Sequence, residues 1–313
     1  MKRPAPSGVE GFLDRIQPGR KIDANSAVLL PFTRDGKPDY DEFQQHLVRT
    51  ARAGITPAVN MDTGFGPQLT PAQRVEVLAL TRKALGNATF IAGAGPFGET
   101  YEQAVKAILD QGAVPIIFQS EQFASGDVVA LYRKILAPCP KALGFELGKM
   151  FAPFGRIYDL ETWKRLLAIP NLVGAKHSSL SRTEELARLE LRDRERPDFK
   201  IYTGNDLAID MVMYGSDYLL GISTFDPDAF ALRDRWWAEK DERFFELNDA
   251  LQALGSVAFR DPVPAYKDSA AAYLRITGRM KDPLPHPTCA RRPANEGELL
   301  LPLARQIEIA ASR

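Results

Sequence analysis

Short apolar runs alternate with amphipathic stretches along the first 225 residues of the chain. Each run is the length of a strand, and apolar residues recur at helical spacing in the stretches between them, as at Phe43, Leu47 and Ala51. Strands that are apolar on both faces and separated by single helices are typical of a parallel sheet covered by helices. The predicted strands are 27–31, 55–61, 89–93, 113–118, 142–147, 171–176, 200–203 and 217–222.

Eight strand–helix units are the number that a closed (β/α)8 TIM barrel requires, although periodicity alone leaves an open doubly wound α/β sheet possible. After Phe225 the strand pattern stops, and the remaining chain is typical of helices joined by proline-rich segments. We therefore predict an N-terminal segment at 1–25, a (β/α)8 barrel at 26–225 and a C-terminal helical region at 226–313.

The composition limits the partners and the compartment. Forty basic residues balance forty acidic ones, which speaks against the broad basic surface of a nucleic-acid-binding protein. The two cysteines and three histidines show no metal-ligand spacing, so no metal is expected. No apolar run approaches the ~18 residues that span a bilayer, and the N-terminus lacks a secretory pattern. We expect a cytoplasmic protein with no membrane partner.

Chemistry in a barrel of this kind collects at the carboxyl ends of the strands. Lys176 ends the sixth predicted strand after an apolar run, so it either meets water there or points into the barrel mouth. We take it as the candidate catalytic residue. Polar side chains also follow or end other strands, namely Asp62 and Thr63 after the second strand and Glu146 in the fifth.

Three segments together resemble one known family. The segment 174–179, Gly-Ala-Lys-His-Ser-Ser, resembles the lysine motif of the dihydrodipicolinate synthase/N-acetylneuraminate lyase family. Thr63-Gly64 and Leu69-Thr70 are similar to the family's Gly-x-Thr-Gly-Glu…Leu-Thr motif, and Gly204-Asn205-Asp206 resembles the end of its seventh strand. The agreement keeps its order from about residue 26 to residue 310.

The resemblance implies a TIM barrel and a Schiff base between Lys176 and a 2-oxo acid, such as pyruvate or a sugar-derived keto acid. The resulting iminium accepts electrons, so a lyase, aldolase or dehydratase activity is expected. No cofactor is implied. Thr63 and Gly64 would hold the substrate carboxylate, and the chain would form a homo-oligomer, either a dimer or a tetramer.

The chain departs from the family where proton transfer is expected. Phe145 aligns with a tyrosine that relays protons in the family, and the tyrosine lent there by a neighbouring subunit also has no counterpart. We hypothesise that Asp62 or Glu146 supplies the acid/base group instead. The alternatives are that Asp62 caps a turn and that Glu146 is the buried partner of an arginine.

A carboxylate at position 62 would repel a bound carboxylate unless it is protonated, paired with Lys176, Lys149 or Arg156, or turned towards substrate hydroxyls. The strand ends and the long loop after the fifth strand supply further candidate substrate-binding residues, which are Phe145, Arg156, Gly204 and Ser223.

Two other functions remain open from the sequence. Gly93, Gly95 and Gly98 spell the Gly-x-Gly-x-x-Gly pattern of dinucleotide-binding proteins, with Glu121 as a possible ribose ligand, which would suit an NAD(P)-dependent oxidoreductase. Alternatively, the missing tyrosine suits a relative that binds keto acids without turning them over.

Overall fold

Eight parallel strands close into a barrel in this computed structural model, which describes residues 13–313. Each strand pairs with the next one along the chain, and β1 pairs with β8. The closure confirms the predicted (β/α)8 barrel and excludes the open sheet. The strands are β1 (Ala24–Ala27), β2 (Thr56–Val59), β3 (Ile91–Ala94), β4 (Val114–Ile117), β5 (Ala142–Leu147), β6 (Leu172–Ser178), β7 (Lys200–Thr203) and β8 (Asp217–Leu220).

Helices cover the outside of the barrel, and three more follow it. They are α1 (Tyr40–Arg52), α2 (Pro71–Leu85), α3 (Tyr101–Asp110), α4 (Glu121–Ser125), α5 (Val128–Leu136), α6 (Leu160–Leu167), α7 (Arg182–Glu195), α8 (Pro227–Glu239), α9 (Arg243–Ala258), α10 (Tyr266–Ile276) and α11 (Glu296–Ser312). The connection after β7 contains a 3₁₀ helix, Ile209–Tyr214.

The ends of the barrel differ from the predicted limits. Helix α8 follows β8 and packs against α1, so the ring of helices closes beyond residue 225. Strand β1 begins at Ala24, before the expected start at residue 26. Of the predicted N-terminal segment 1–25, residues 1–12 lie outside the described part of the chain.

The first strand was placed too late because an apolar run records burial, not strand geometry. Residues 28–31 are fully buried but lie beyond the end of β1. The backbone N–H of Val28 donates to the carbonyl of Ala58, and that of Leu29 donates to the hydroxyl of Thr224. A buried segment outside a strand can have the same hydrophobic pattern as a buried strand.

The start of α2 follows its local sequence. Thr70 caps the helix, Pro71 is its first residue, and the Gln73 side chain bonds back to the Thr70 backbone. This capping box satisfies N–H groups that have no partner within a helix. Helix α2 therefore begins at Pro71, directly after its cap.

Side-chain alternation separates the two faces of β5 and β6. Phe145 pairs with Lys176 across the two strands, and Glu146 pairs with His177. Phe145 belongs to the apolar cluster that fills the barrel interior, so Glu146 and His177, one residue further on, point outward to the helices. His177 therefore faces away from the interior of the barrel, where it contacts Glu146.

The C-terminal helices bring a distant part of the chain to the barrel mouth. Helix α11 packs against α9 and α10, and a 3₁₀ helix at Val263–Ala265 leads into α10. Tyr266, the first residue of α10, thereby lies beside Gly221 at the end of β8. The C-terminal region therefore contributes to the same end of the barrel as the strand ends do.

Packing explains the glycines of the dinucleotide-like pattern. A Cβ atom on Gly93 would lie 2.3 Å from the carbonyl oxygen of Asn60, and one on Gly95 would lie 2.4 Å from the ring of Phe97. Gly98 has a φ of +88°, which glycine adopts without strain. Thr100 caps the following helix, and the sheet is a closed barrel. Packing and turn geometry therefore explain these glycines. The dinucleotide-binding alternative requires an open sheet, whereas the observed sheet is a closed barrel.

No helix within residues 13–313 has both the length and the apolar character needed to cross a membrane. The same range contains no group of three or more His, Cys, Asp or Glu side chains arranged to hold a metal ion.

We predict that Gly93→Ala lowers the free energy of unfolding by about 1–3 kcal/mol, because the new methyl group overlaps a backbone carbonyl. Urea denaturation measures the change. Gly148→Ala is the matched control, since the nearest neighbour of its Cβ lies at 3.8 Å, an ordinary contact. Equal stability of the two variants would contradict the packing explanation.

Candidate active site

A cavity of about 380 Å³ opens at the carboxyl ends of the strands. It is bounded by the barrel mouth, the loop after β5 and the start of α10. Four charged side chains line it, Asp62, Lys176, Asp206 and Lys267. This is the end of a barrel at which catalytic residues collect.

Lys176 points into this cavity from the end of β6. A Cβ atom on Gly204 would lie 2.5 Å from Cε of Lys176, so glycine at this position leaves room for the lysine side chain in its observed conformation. Within residues 13–313 the amine has no hydrogen-bond or ion-pair partner, and its nearest described contact is the Phe145 ring, 4.9 Å from Nζ to the centroid. Burial lowers the pKa of Lys176, although the carboxylates of Asp206 and Asp62 oppose the shift.

Asp206 is a charged residue of the cavity that the sequence analysis did not select. Its Oδ1 accepts a hydrogen bond of 2.7 Å from the backbone N–H of Ile222, which fixes the carboxyl group between β7 and β8. Burial raises the pKa of Asp206 to about 6, and the nearby Lys176 opposes that rise. The motif Gly204-Asn205-Asp206 is visible in the sequence, but it does not indicate which of its side chains faces the cavity.

Asp62 forms an ion pair with Lys267. The Lys267 ammonium donates to both Asp62 oxygens at 3.0 Å, and the Tyr266 hydroxyl donates to Asp62 Oδ2 at 3.1 Å. About half of the Asp62 side chain is exposed, and that surface opens into the protein-walled cavity. Burial opposes its ionisation, but Lys267 and Tyr266 hold the pKa of Asp62 below its ordinary value. The partner is therefore none of the three basic residues expected from the sequence.

Thr63 is hydrogen-bonded to Tyr266, which also bonds to Asp62. Its hydroxyl is hydrogen-bonded to the Tyr266 hydroxyl at 2.8 Å, and both side chains are buried. Burial, with Asp62 as the next cause, raises the pKa of Tyr266 well above its ordinary value. Tyr266 is therefore a neutral hydroxyl that can donate a proton towards Asp62.

The sequence analysis missed Tyr266 and the role of Lys267. Both residues belong to the first turn of α10, which lies far along the chain from the ends of the strands. A polar pair after a proline-rich joint indicates a helix start, and nothing in it shows that the helix lies over the barrel mouth.

Glu146 is not in the cavity, which corrects its expected role as an acid/base group. Its Oε1 accepts from Trp163 Nε1 at 3.0 Å and from Arg188 Nε at 3.1 Å, and it also meets His177 Nδ1. Its Oε2 accepts from the Tyr158 backbone. Burial opposes ionisation, but His177 and Arg188 hold the pKa of Glu146 below normal. The alternative, a buried partner of an arginine, is the one observed.

Three of the expected substrate-binding residues also lie away from the cavity lining. Arg156 anchors the loop after β5, since its backbone N–H donates to Gln119 Oε1 at 2.9 Å and its guanidinium extends towards α4. The Ser223 hydroxyl is buried against Leu220 and Ser26. The N–H of Gly64 already donates to the Met61 carbonyl. Each was chosen from its position in the chain, which does not give side-chain direction.

The remaining residues that the sequence predicted for the site all line this cavity. They are Asp62, Thr63, Phe145, Lys176 and Gly204. Phe145, at the position where a tyrosine was expected, brings no hydroxyl group. Tyr266 supplies a hydroxyl from a different element. A closed barrel whose mouth holds two carboxyl groups and an amine without a described hydrogen-bond partner is typical of a barrel enzyme that uses a lysine amine.

Comparison with known proteins agrees with that class. No family model matches the sequence. The chain is 30% identical over 207 residues to the 4-hydroxy-tetrahydrodipicolinate synthase of Xylella fastidiosa, covering 64% of this chain and 67% of that protein. It is 28% identical over 206 residues to the protein of the same name from Kosmotoga olearia, covering 64% and 69%.

Solved structures show the same fold. Dihydrodipicolinate synthase from Thermotoga maritima matches with a TM-score of 0.76 at 18% identity, covering 92% of this chain and 99% of that one. The chloride-inhibited enzyme from Acinetobacter baumannii, complexed with pyruvate, matches with a TM-score of 0.74 at 17% identity, covering 93% and 100%. The chain belongs to the dihydrodipicolinate synthase/N-acetylneuraminate lyase family, as a divergent member.

We predict that Asp206→Asn lowers the pKa of Lys176, because it removes a negative charge that stabilises the ammonium form. The amide oxygen can still accept the Ile222 N–H. Only the neutral amine is acylated, so the rate of Lys176 acylation against pH, followed by peptide mass spectrometry, should have its midpoint about one pH unit lower.

Asp110→Asn serves as the control for this titration, since Asp110 is exposed and paired with Lys106 on α3. An unchanged or higher midpoint in Asp206→Asn would show that Asp206 does not act on Lys176.

Proposed function

We propose that this protein is a Schiff-base-forming lyase or aldolase that acts on a 2-oxo acid through Lys176. The observation that carries the proposal is the unpaired amine of Lys176 in a barrel mouth where burial lowers its pKa. Two findings support it: relatives named 4-hydroxy-tetrahydrodipicolinate synthase, and the fold shared with a synthase complexed with pyruvate.

Lys267 is unsuitable as the nucleophile, although it lines the same cavity. An amine must be neutral to attack a carbonyl carbon, and Lys267 donates to both oxygens of an ionised carboxylate. Its positive charge is therefore fixed by Asp62. Lys176, which lacks such a partner among the described residues, is the amine that can lose its proton.

The reaction begins when the neutral amine of Lys176 attacks the C2 carbonyl and water leaves, forming an iminium. When the substrate carries a hydroxyl on C4, the C3–C4 electron pair moves into the iminium, the hydroxyl proton passes to a base, and an aldehyde leaves. The enamine then takes this proton back from the base at C3. Water finally releases pyruvate and restores the amine.

Tyr266 and Asp62 are the groups that we assign to proton transfer on the substrate side. The Tyr266 hydroxyl accepts a proton from the substrate as it passes its own to Asp62, along the existing hydrogen bond. Lys267 balances the charge of Asp62 whenever that carboxyl group is ionised. Phe145 then needs no hydroxyl of its own, because Tyr266 supplies one.

Asp206 is assigned to formation of the iminium. Its carboxyl group acts electrostatically on Lys176, and its pKa of about 6 suits a group that exchanges protons near neutral pH. It can protonate the hydroxyl that leaves as water and recover the proton on hydrolysis. We assign binding of the substrate carboxylate to Thr63, which lines the cavity, because the Gly64 amide is already engaged.

The tyrosine of this site comes from its own chain, so the proposed proton relay uses no tyrosine from a second subunit. A homo-oligomer remains a prediction from the family. One structural match, with a TM-score of 0.76 at 19% identity, is to a monomeric dihydrodipicolinate synthase variant.

We predict that borohydride traps pyruvate on Lys176. The reduced adduct should appear in the peptide that contains Lys176, and it should be absent from Lys176→Met. Lys106→Met is the control, because Lys106 is an exposed lysine of α3. An undiminished adduct in Lys176→Met, or no adduct in the parent protein, would refute the Schiff base.

We also predict that Tyr266→Phe slows exchange of the pyruvate methyl protons with deuterated water by about 10²-fold or more, because the proton relay is lost. Nuclear magnetic resonance follows the exchange, and borohydride trapping should persist because Lys176 is unchanged. Tyr273→Phe, on the same helix and hydrogen-bonded to Asp226, is the control.

The exchange experiment also separates the enzyme from a relative that only binds keto acids. Trapping of pyruvate with exchange at the background rate in the parent protein would favour the non-catalytic relative. Exchange that is fast in both the parent and Tyr266→Phe would contradict the role of Tyr266.

A further inference from the structure

The candidate cavity has two chemically different halves. The four charged side chains and Tyr266 come from the ends of β2, β6 and β7 and from α10. The side formed by β3, β4 and β5 carries Phe97, Phe118 and Phe145. Their rings meet edge to face, with centroids 5.4 Å apart for the first pair and 5.1 Å for the second. The apolar side is therefore a continuous aromatic wall.

The long loop after β5 extends this wall outward. Met150, Phe151 and Phe154 of this loop line the cavity, and none of them brings a charge or a hydrogen-bond donor in its side chain. The base of the loop is fixed, since Gln119 bonds to the backbone N–H and carbonyl of Arg156. Phe151 is 42% exposed, so its ring has surface free for a ligand to cover.

Lys176 lies between the two halves. Phe145 of the aromatic wall lies over its amine, and Asp206 and Asp62 act on it from the other side. A 2-oxo acid attached through C2 has two arms, the carboxylate at C1 and the chain from C3 onward. If the carboxylate lies towards Thr63 and Lys267 and a hydroxyl on C4 lies towards Tyr266, the remaining substituent on C4 runs along the aromatic wall.

We infer that the substrate is a 2-oxo acid whose chain beyond C3 carries an aromatic or similarly bulky apolar group. This inference rests on the proposed function and adds the substrate class to it. The wall offers ring edges and faces, with which another ring packs favourably. A hydroxyl or carboxylate group on the part of the chain that lies along this wall would lose hydrogen bonds to water and gain none, which makes binding weaker.

Borohydride trapping measures this preference without requiring turnover. We compare 4-phenyl-2-oxobutanoate, which has an aromatic tail, with 2-oxoadipate, which has a carboxylate tail, and use pyruvate as the reference. The concentration that gives half-maximal adduct on Lys176 should be about 10²-fold lower for the phenyl compound, because burying a ring of this size gives a gain of that order.

Variants show whether the wall causes the preference. Phe151→Ser should reduce the difference between the two tails several-fold, and because Phe151 is partly exposed the variant should still fold. Phe245→Ser is the matched control. Phe245 is 48% exposed on α9 and does not line the cavity, so its replacement should leave the preference unchanged.

The reference compound separates the two proposals. If pyruvate is not trapped, the proposed function fails and the substrate class fails with it. If pyruvate is trapped but the two tails give equal half-maximal concentrations, or 2-oxoadipate gives the lower one, the apolar substrate class alone is overturned. A preference that is unaffected by Phe151→Ser would also overturn it, because the loop would then not be the binding wall.

Discussion

The ion pair between Lys267 and Asp62 is the interaction on which the chemistry of this site depends. An unpaired carboxylate at the mouth of the barrel would attract the nearest cation, and Lys176 lines the same cavity. Lys267 instead occupies both oxygens of Asp62, which leaves the amine of Lys176 without a charged partner in hydrogen-bond contact. One lysine is thus held charged and the other is free to become neutral, although both line one cavity. Desolvation then lowers the pKa of Lys176.

The barrel wall separates the side chains of the candidate site from side chains that stabilise the strands behind it. Phe145 and Lys176 face the cavity, whereas Glu146 and His177, the next residues on the same strands, form a buried polar pair behind the wall. Arg188 completes the charge balance of Glu146 from α7. Removing one member of such a buried pair leaves a charge without compensation, so this cluster stabilises the two strands that carry the candidate catalytic lysine.

The sequence predicted the barrel well because its evidence was repeated along the chain. Eight apolar runs with helices between them indicated the parallel sheet that the structure shows. Lys176 was a candidate because it ends one of these runs. Single positions were predicted less well. Glu146 and Ser223 were chosen for lying near strand ends, yet they face the surrounding helices or the packed core. Strand alternation could have excluded Glu146, since Lys176 and Glu146 occupy opposite faces of paired strands.

The sequence alone determined the class of fold and the candidate amine, because both follow from local periodicity and from position within a repeated unit. Only the tertiary structure decided which acids surround that amine. Tyr266 and Lys267 lie about ninety residues beyond Lys176 in the chain and reach it because α10 folds back over the barrel mouth. Asp62 had several possible partners in the sequence, and its actual partner depends on that contact. Local patterns give the faces of helices and strands, whereas contacts between distant elements depend on how those faces pack together.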